Sequence, residues 1–208
     1  MSAVAKRRSR RGSTKKRRQS PLSCSLVIAA TLMIVMLGAA WILSHAHILD
    51  ISVRLDTRYE VSGPPTISAD FINRVLDFYG SPASGKGQAL YDDGVKYTID
   101  PVYALAFFMH ESSFGTTGVA RVTLSLGNIR ATPGYKSYDG YRKYASWEDG
   151  FVDWYKLIKK QYVQEWKLKT IDQIIPVYAP SSDHNDVDAY IQGIKNAVDS
   201  WRLGEVRI

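Results

Sequence analysis

Residues 103–118 read YALAFFMHESSFGTTG. An unbroken apolar run ends at His110 and Glu111, and small polar residues and glycines follow. Upstream, Asp100-Pro101 is a helix start: aspartate caps free backbone N–H groups, and proline fits the first helical position because it has no N–H to leave unsatisfied. The spacing predicts a buried helix over 101–112 with Glu111 on its last turn. Phe107 and Phe108 lie four and three positions before Glu111, and Ala104 seven, so all three share its face. Desolvation by such neighbours disfavours the carboxylate, and the partial negative charge of a helix C-terminus disfavours an anion there as well. Both raise the pKa, which suits an acid that holds its proton near neutral pH and delivers it to a leaving group. A solvent-facing glutamate partly neutralised by His110 satisfies the same periodicity, and the pattern leaves both readings open.

The surrounding sequence is mostly helical. SADFINRVLDFYG (68–80) sets Phe71, Val75, Leu76 and Tyr79 on one face and stops at Gly80. QALYDDGVKYT (88–98) is a shorter helical candidate, and Ser146 with Asp149 opens a helix through SWEDGFVDWYKLIKKQYVQEW (146–166). Thr170 with Gln173 forms a capping-box pattern, and DVDAYIQGIKNAVDSWRL (186–203) is the last helix. Residues 114–146 carry no sustained helical stripe. Within them YKSYDGYRKY (135–144) places Asp139-Gly140 between alternating aromatics, the pattern of a two-residue hairpin turn. Trp147, Trp154, Trp166 and Trp201 fall at helical spacings and are expected in the core.

The N-terminus has a different character. Nine of the chain's 27 Lys and Arg lie in the first 18 residues, with no acid among them. The rest is close to neutral, which argues against nucleic acid as a partner, since a binder carries its basic residues on the folded domain. PLSCSLVIAATLMIVMLGAAWILS (21–44) contains no charged residue. At ~1.5 Å per residue it spans a hydrocarbon core of roughly 30 Å. The basic run before it predicts a cytoplasmic N-terminus and export of everything that follows. A secretory signal cut after Ala46 is the other reading, although signal apolar regions are usually shorter. The expected organisation is a basic tail at 1–20, a membrane segment at 21–44, a linker at 45–66 and a folded domain at 67–204. The single cysteine, Cys24, precedes the exported part, whose stability must come from packing.

HESSFGTTG (110–118) followed by LGNIRA (126–131) resembles the glucosaminidase-type peptidoglycan hydrolases of glycoside hydrolase family 73. YRKYASWEDGFVDWYKLI (141–158) and VYAPSSDHNDVDAYIQGI (177–194) resemble two further elements of that family, in the same order. The glycine and asparagine of Leu126-Gly127-Asn128-Ile129 stand in a different order from the family's. The resemblance covers residues 68–202. It implies a mainly α, α+β lysozyme-like fold with a small β-hairpin, acting on peptidoglycan glycan strands outside the membrane. It implies Glu111 as the general acid that protonates the glycosidic oxygen of a β-1,4-linked N-acetyl sugar chain. Lytic transglycosylases and muramidases share the fold, as does a wall-binding module of weak activity.

Glycosidases commonly pair two carboxylates, and between Glu111 and Asp139 this chain has no acid. Asp139 is therefore the candidate second group; a plain turn residue is its alternative role. Without a second carboxylate, the substrate's own N-acetyl group is the internal nucleophile. Asn128 suits an acetamido group, and Tyr144 and Tyr178, which carry the better family match, are candidates for sugar contact beside Ser112. Asp183, His184, Asp186 and Asp188 read as a solvated loop, so no metal and no cofactor is expected.

Overall fold

The computed structural model describes residues 33–44 and 57–208. It divides into two compact units, Met1–Ser52 and Val53–Ile208. In the first, residues 33–44 are helical, and Met33, Ile34, Trp41 and Leu43 are exposed. No helix among the described residues is long and apolar enough to cross a membrane. Residues 21–32, the first half of the expected membrane segment, lie outside the described residues, as do the basic tail, Cys24 and Ala46.

The second unit is helical with one small sheet. Its helices are α1 (Ala69–Phe78), α2 (Gly87–Tyr97), α3 (Pro101–Ser112), the single turn α4 (Ala120–Thr123), α5 (Trp147–Lys156), α6 (Ile171–Tyr178) and α7 (Val187–Arg202). Strands β1 (Ser137–Tyr138) and β2 (Tyr141–Arg142) pair antiparallel. Their turn residues Asp139 and Gly140 have φ of 49° and 81°. Two successive positive φ angles make a type I′ turn, for which Asp-Gly is a preferred pair.

α3 is the central helix. Every residue from Pro101 to Phe108 is buried, as expected of a helix apolar all round. Asp100 caps it, its side chain accepting from the Val102 N–H at 3.2 Å. α7 and α2 pack along α3, and Phe151 and Trp154 of α5 meet its Phe108 ring. At its end Ser113, Phe114 and Gly115 all have left-handed φ of 46°, 54° and 82°. For a non-glycine residue that conformation costs roughly 1–2 kcal/mol. Burial of the Phe114 ring among Tyr79 and Trp201 offsets it.

Two boundaries differ from the sequence reading. Residues 57–66, assigned there to a linker, pack on the folded unit: the Val61 N–H donates to the Lys169 carbonyl at 2.9 Å and the Asp100 N–H to the Val61 carbonyl at 3.0 Å. The long helix expected over 146–166 is α-helical only to Lys156 and then winds as a π-helix, Leu157–Glu165. Trp166, expected in the core, is 41% exposed, whereas Trp154 and Trp201 are buried.

Gly127 is fixed by close approach. A Cβ there would lie 2.6 Å from Trp154 Cδ1 and 3.1 Å from Phe108 Cε1. The segment carrying Asn128 therefore lies flat against the junction of α3 and α5. Gly127→Ala is expected to cost about 1–3 kcal/mol through overpacking, read as a lower midpoint in urea denaturation with an unchanged slope.

Candidate active site

Glu111 ends the buried stretch of α3 and faces a cleft of about 440 Å³. One carboxylate oxygen accepts the Tyr190 hydroxyl at 2.6 Å. Tyr190 belongs to the buried stripe of α7, and the His110 ring stacks on it. Burial pushes the Glu111 carboxyl up from 4.5 to about 7; the Tyr190 hydrogen bond and the Arg130 charge pull the other way and are outweighed. Burial shifts His110 down, which weakens it as a countercharge, and Glu111 is itself half-buried. The reading in which His110 partly neutralises an exposed Glu111 is thereby corrected.

The segment after α4 forms the adjoining wall. Asn128, at a left-handed φ of 43°, donates its Nδ2 to the Glu111 backbone carbonyl at 2.8 Å. That satisfies one of the carbonyls a helix end leaves open. Asn128 Oδ1 is buried without a hydrogen-bond partner. The Tyr178 hydroxyl donates to the Gly127 carbonyl at 2.9 Å, and its ring meets Phe107 edge-on at 4.9 Å. Arg130 pairs with Asp183 at 3.0 Å; both line the cleft, and Asp183 ends a short 3-10 turn after α6.

The hairpin supplies a further wall through Tyr141 and Arg142. Asp153 of α5 anchors it. The carboxylate accepts from Arg142 at 2.7 Å, from Tyr144 at 2.6 Å and from Tyr135 at 3.1 Å. The Arg142 guanidinium also lies over the Tyr135 ring, 3.9 Å from its centroid. Burial and the Asp153 charge push the Tyr144 hydroxyl well up. Across the cleft stands the π-helix with Leu157, Gln161 and Tyr162.

Of the six candidates named from sequence, Glu111, Asn128 and Tyr178 come together in the cleft. The other three do not line it. Asp139 is exposed at the solvent tip of the hairpin, where the I′ turn fixes it. Tyr144 is turned inward to Asp153. Ser112 is 1% exposed, donating to the Leu126 carbonyl at 2.8 Å and accepting the Gly115 N–H at 2.9 Å. It pins the cleft wall to α3 and has no face open to substrate.

The sequence reading missed Tyr190, Asp153, Arg130 and Tyr162. A hydroxyl or carboxylate inside an apolar stripe, as in DAYIQGI and FVDWY, is the signal for the first two, since buried polar groups need partners. Nothing local names those partners: Tyr190 and Glu111 are 79 residues apart. Among the described residues no group of three His, Cys, Asp or Glu side chains is placed to hold a metal ion.

Solved structures share the fold. Three solved structures of S. aureus autolysin E match the chain. The first gives a TM-score of 0.51 at 11% identity, over 71% of this chain and 72% of that one. The second holds the muropeptide NAM-L-Ala-D-iGlu and gives 0.50 at 11%, over 71% and 73%. The third, a catalytic mutant with the disaccharide NAG-NAM, gives 0.50 at 10%, over 71% and 73%. At such identity the likeness is one of fold. A comparison with curated protein sequences finds no match. The Glucosaminidase family model, described as mannosyl-glycoprotein endo-beta-N-acetylglucosaminidase, matches residues 87–200, more than half of the chain. Glu111 lies within the matched region; the chain belongs to the glucosaminidase family and is a glycoside hydrolase.

Proposed function

We propose that this hydrolase cleaves the β-1,4 glycosidic bonds of peptidoglycan strands as an endo-β-N-acetylglucosaminidase, with Glu111 as general acid. We also propose that residues 21–44 tether it to the membrane as an uncleaved anchor, with the catalytic domain outside. The muropeptide and NAG-NAM complexes of autolysin E support the substrate class, and the basic residues before an uncharged apolar run support the topology. The observation that carries the catalytic reading is the Glu111 carboxyl, half-buried behind apolar rings, facing the cleft and raised to about 7.

The chemistry follows from what lines the cleft. The other carboxylate of its lining, Asp183, is engaged by Arg130. The nucleophile we assign is therefore the substrate's own 2-acetamido oxygen. It attacks C1 as the C1–O bond breaks, and the electron pair goes to the leaving oxygen, which takes the proton of Glu111. The ionised Glu111 then draws a proton from a water that attacks C1 and reopens the ring, restoring the acid. Asn128 holds the adjoining wall to the helix of the acid through its bond to the Glu111 carbonyl.

Glu111→Gln is expected to lower kcat/KM on purified cell wall by about 10²–10⁴; undiminished activity sinks the assignment. Parent activity should fall above about pH 7, as the acid loses its proton. Mass spectrometry of the released fragments should show reducing N-acetylglucosamine ends. Anhydro ends would mean transglycosylation, and N-acetylmuramic acid ends a muramidase. Asp139→Asn, at the hairpin tip, should stay within about twofold of the parent, against the large losses general acid–base groups cause.

The same pKa has a signature in stability. The folded chain holds the Glu111 proton to about pH 7 and the unfolded chain to about 4.5. The neutral carboxyl's contribution is thus complete below pH 4.5 and is lost as pH rises to 7, a change of about 3 kcal/mol. Glu111→Gln, which cannot ionise, should melt increasingly above the parent from pH 5 to pH 8. A gap that does not change with pH would contradict the shift.

A further inference from the structure

The π-helix forms one wall of the cleft, and its winding sets which side chains share a face. The Trp166 N–H donates to the Gln161 carbonyl at 2.9 Å, an i→i−5 bond. π-turns are rare and recur at functional sites. Here the winding sets the Trp166 ring edge-on to Tyr162, with centroids 4.9 Å apart. Tyr162 stands 6.0 Å from Tyr178, and Tyr178 stands 4.9 Å from Phe107, one turn before Glu111. A row of rings thus runs from the helix of the acid to the surface.

Two observations make the outer end of this row more than packing. Trp166 is 41% exposed although it lies against a buried tyrosine. Tyr162 is only 7% exposed and lines the cleft, yet its hydroxyl makes no hydrogen bond among the described residues. The hydroxyl reaches solvent at the cleft, and a ligand there can accept from it in place of water. Burial holds that hydroxyl protonated, with its pKa pushed up to about 12, so it is a donor at any working pH. Beside it, the Gln161 amide also lines the cleft.

We propose that Trp166, Tyr162 and Gln161 form a second sugar-binding position, separate from the acid, which holds a distal pyranose of the glycan. The exposed face of Trp166 stacks on the apolar face of the ring. The Tyr162 hydroxyl and the Gln161 amide bond its polar substituents. The three groups are uncharged, which suits a neutral polyol and gives an anion nothing to pair with. This position selects for chain length and leaves the bond-breaking step to Glu111. It rests on the glycan substrate proposed above.

Calorimetry on the full-length Glu111→Gln protein in detergent, with N-acetylchitohexaose and the corresponding disaccharide as probes, tests the position without turnover. Adding Trp166→Ala should weaken hexamer binding about 3- to 10-fold, in the range of an aromatic contact, and leave disaccharide binding unchanged. Tyr162→Phe, which keeps the ring and removes only the hydroxyl, should weaken the hexamer about 2- to 5-fold, as loss of one hydrogen bond does. Circular dichroism confirms that each variant is folded. The proposal is overturned if Trp166→Ala leaves the hexamer affinity unchanged, if the two probes weaken equally, or if the hexamer does not bind. Retained activity in Glu111→Gln would overturn the catalytic assignment instead, and the binding comparison would stand apart from it.

Discussion

The arrangement depends on one carboxyl placed where a helix runs out of the core. α3 is buried along nearly its whole length, so its position along its own axis decides how deep Glu111 sits. Both ends are fixed by side chains that do more than cap. Asp100 is 2% exposed and holds the first turn. It accepts from the Val102 N–H, from the backbone and hydroxyl of Thr66 at 3.0 and 2.6 Å, and from Arg202 at 3.1 Å. One buried acid thus ties together the start of α3, the segment before α1 and the end of α7. At the other end Ser112 bonds the Leu126 carbonyl and the Gly115 N–H. At ~1.5 Å per residue, a slip of one position at Asp100 would move Glu111 into the core or out into water, and its proton affinity with it.

The cleft walls are held by partly buried polar groups whose bonds point away from the cleft. Asp153 accepts three donors, and hydrogen bonds to a charged group are worth about 1.5–3 kcal/mol each. The hairpin has only two residues per strand and could not stand on its own pairing. Its position is therefore set by Asp153 through Arg142, Tyr135 and Tyr144. The opposite wall follows the same logic, with Tyr178 and Asn128 both bonding backbone carbonyls. Tyrosines that look like sugar contacts in the sequence divide into those that brace the walls and those that face the cleft. The division follows from where Asp153 lies.

That division explains what could be read in advance. Helix starts were legible because they are local: Asp100, Ser146 and the Thr170–Gln173 box each act within three residues of themselves. The Asp139-Gly140 turn was legible for the same reason, and so was the direction of the Glu111 shift, which follows from ring neighbours one turn away. The π-winding after Lys156 was not, since no side-chain pattern marks a change from i→i−4 to i→i−5 bonding. Asp139 was a candidate for its proximity in sequence, which is not proximity in space. The hairpin that carries it turns its tip outward, and the acid that lines the cleft, Asp183, arrives from 72 residues beyond Glu111. Tyr190 and Asp153 were hidden in apolar stripes, where the default reading of a ring or a lone acid is packing or a solvated edge.

The partner of Glu111 is consistent with the acid role proposed for it. A cation in direct contact would hold the carboxyl ionised and end its use as an acid, since an opposite charge within hydrogen-bond reach lowers a carboxyl pKa by one to three units. The group in contact is instead the neutral Tyr190 hydroxyl, which orients the carboxyl and outweighs little of the desolvation. The nearest positive charge, Arg130, is spent on Asp183. That ion pair is too exposed to add much stability. Its consequence is electrostatic: Asp183 screens the guanidinium whose field would otherwise pull Glu111 toward an ordinary carboxylate. Burial, a neutral donor and a diverted cation act together, and the result is a carboxyl that can give its proton near neutral pH and take it back within the same turnover.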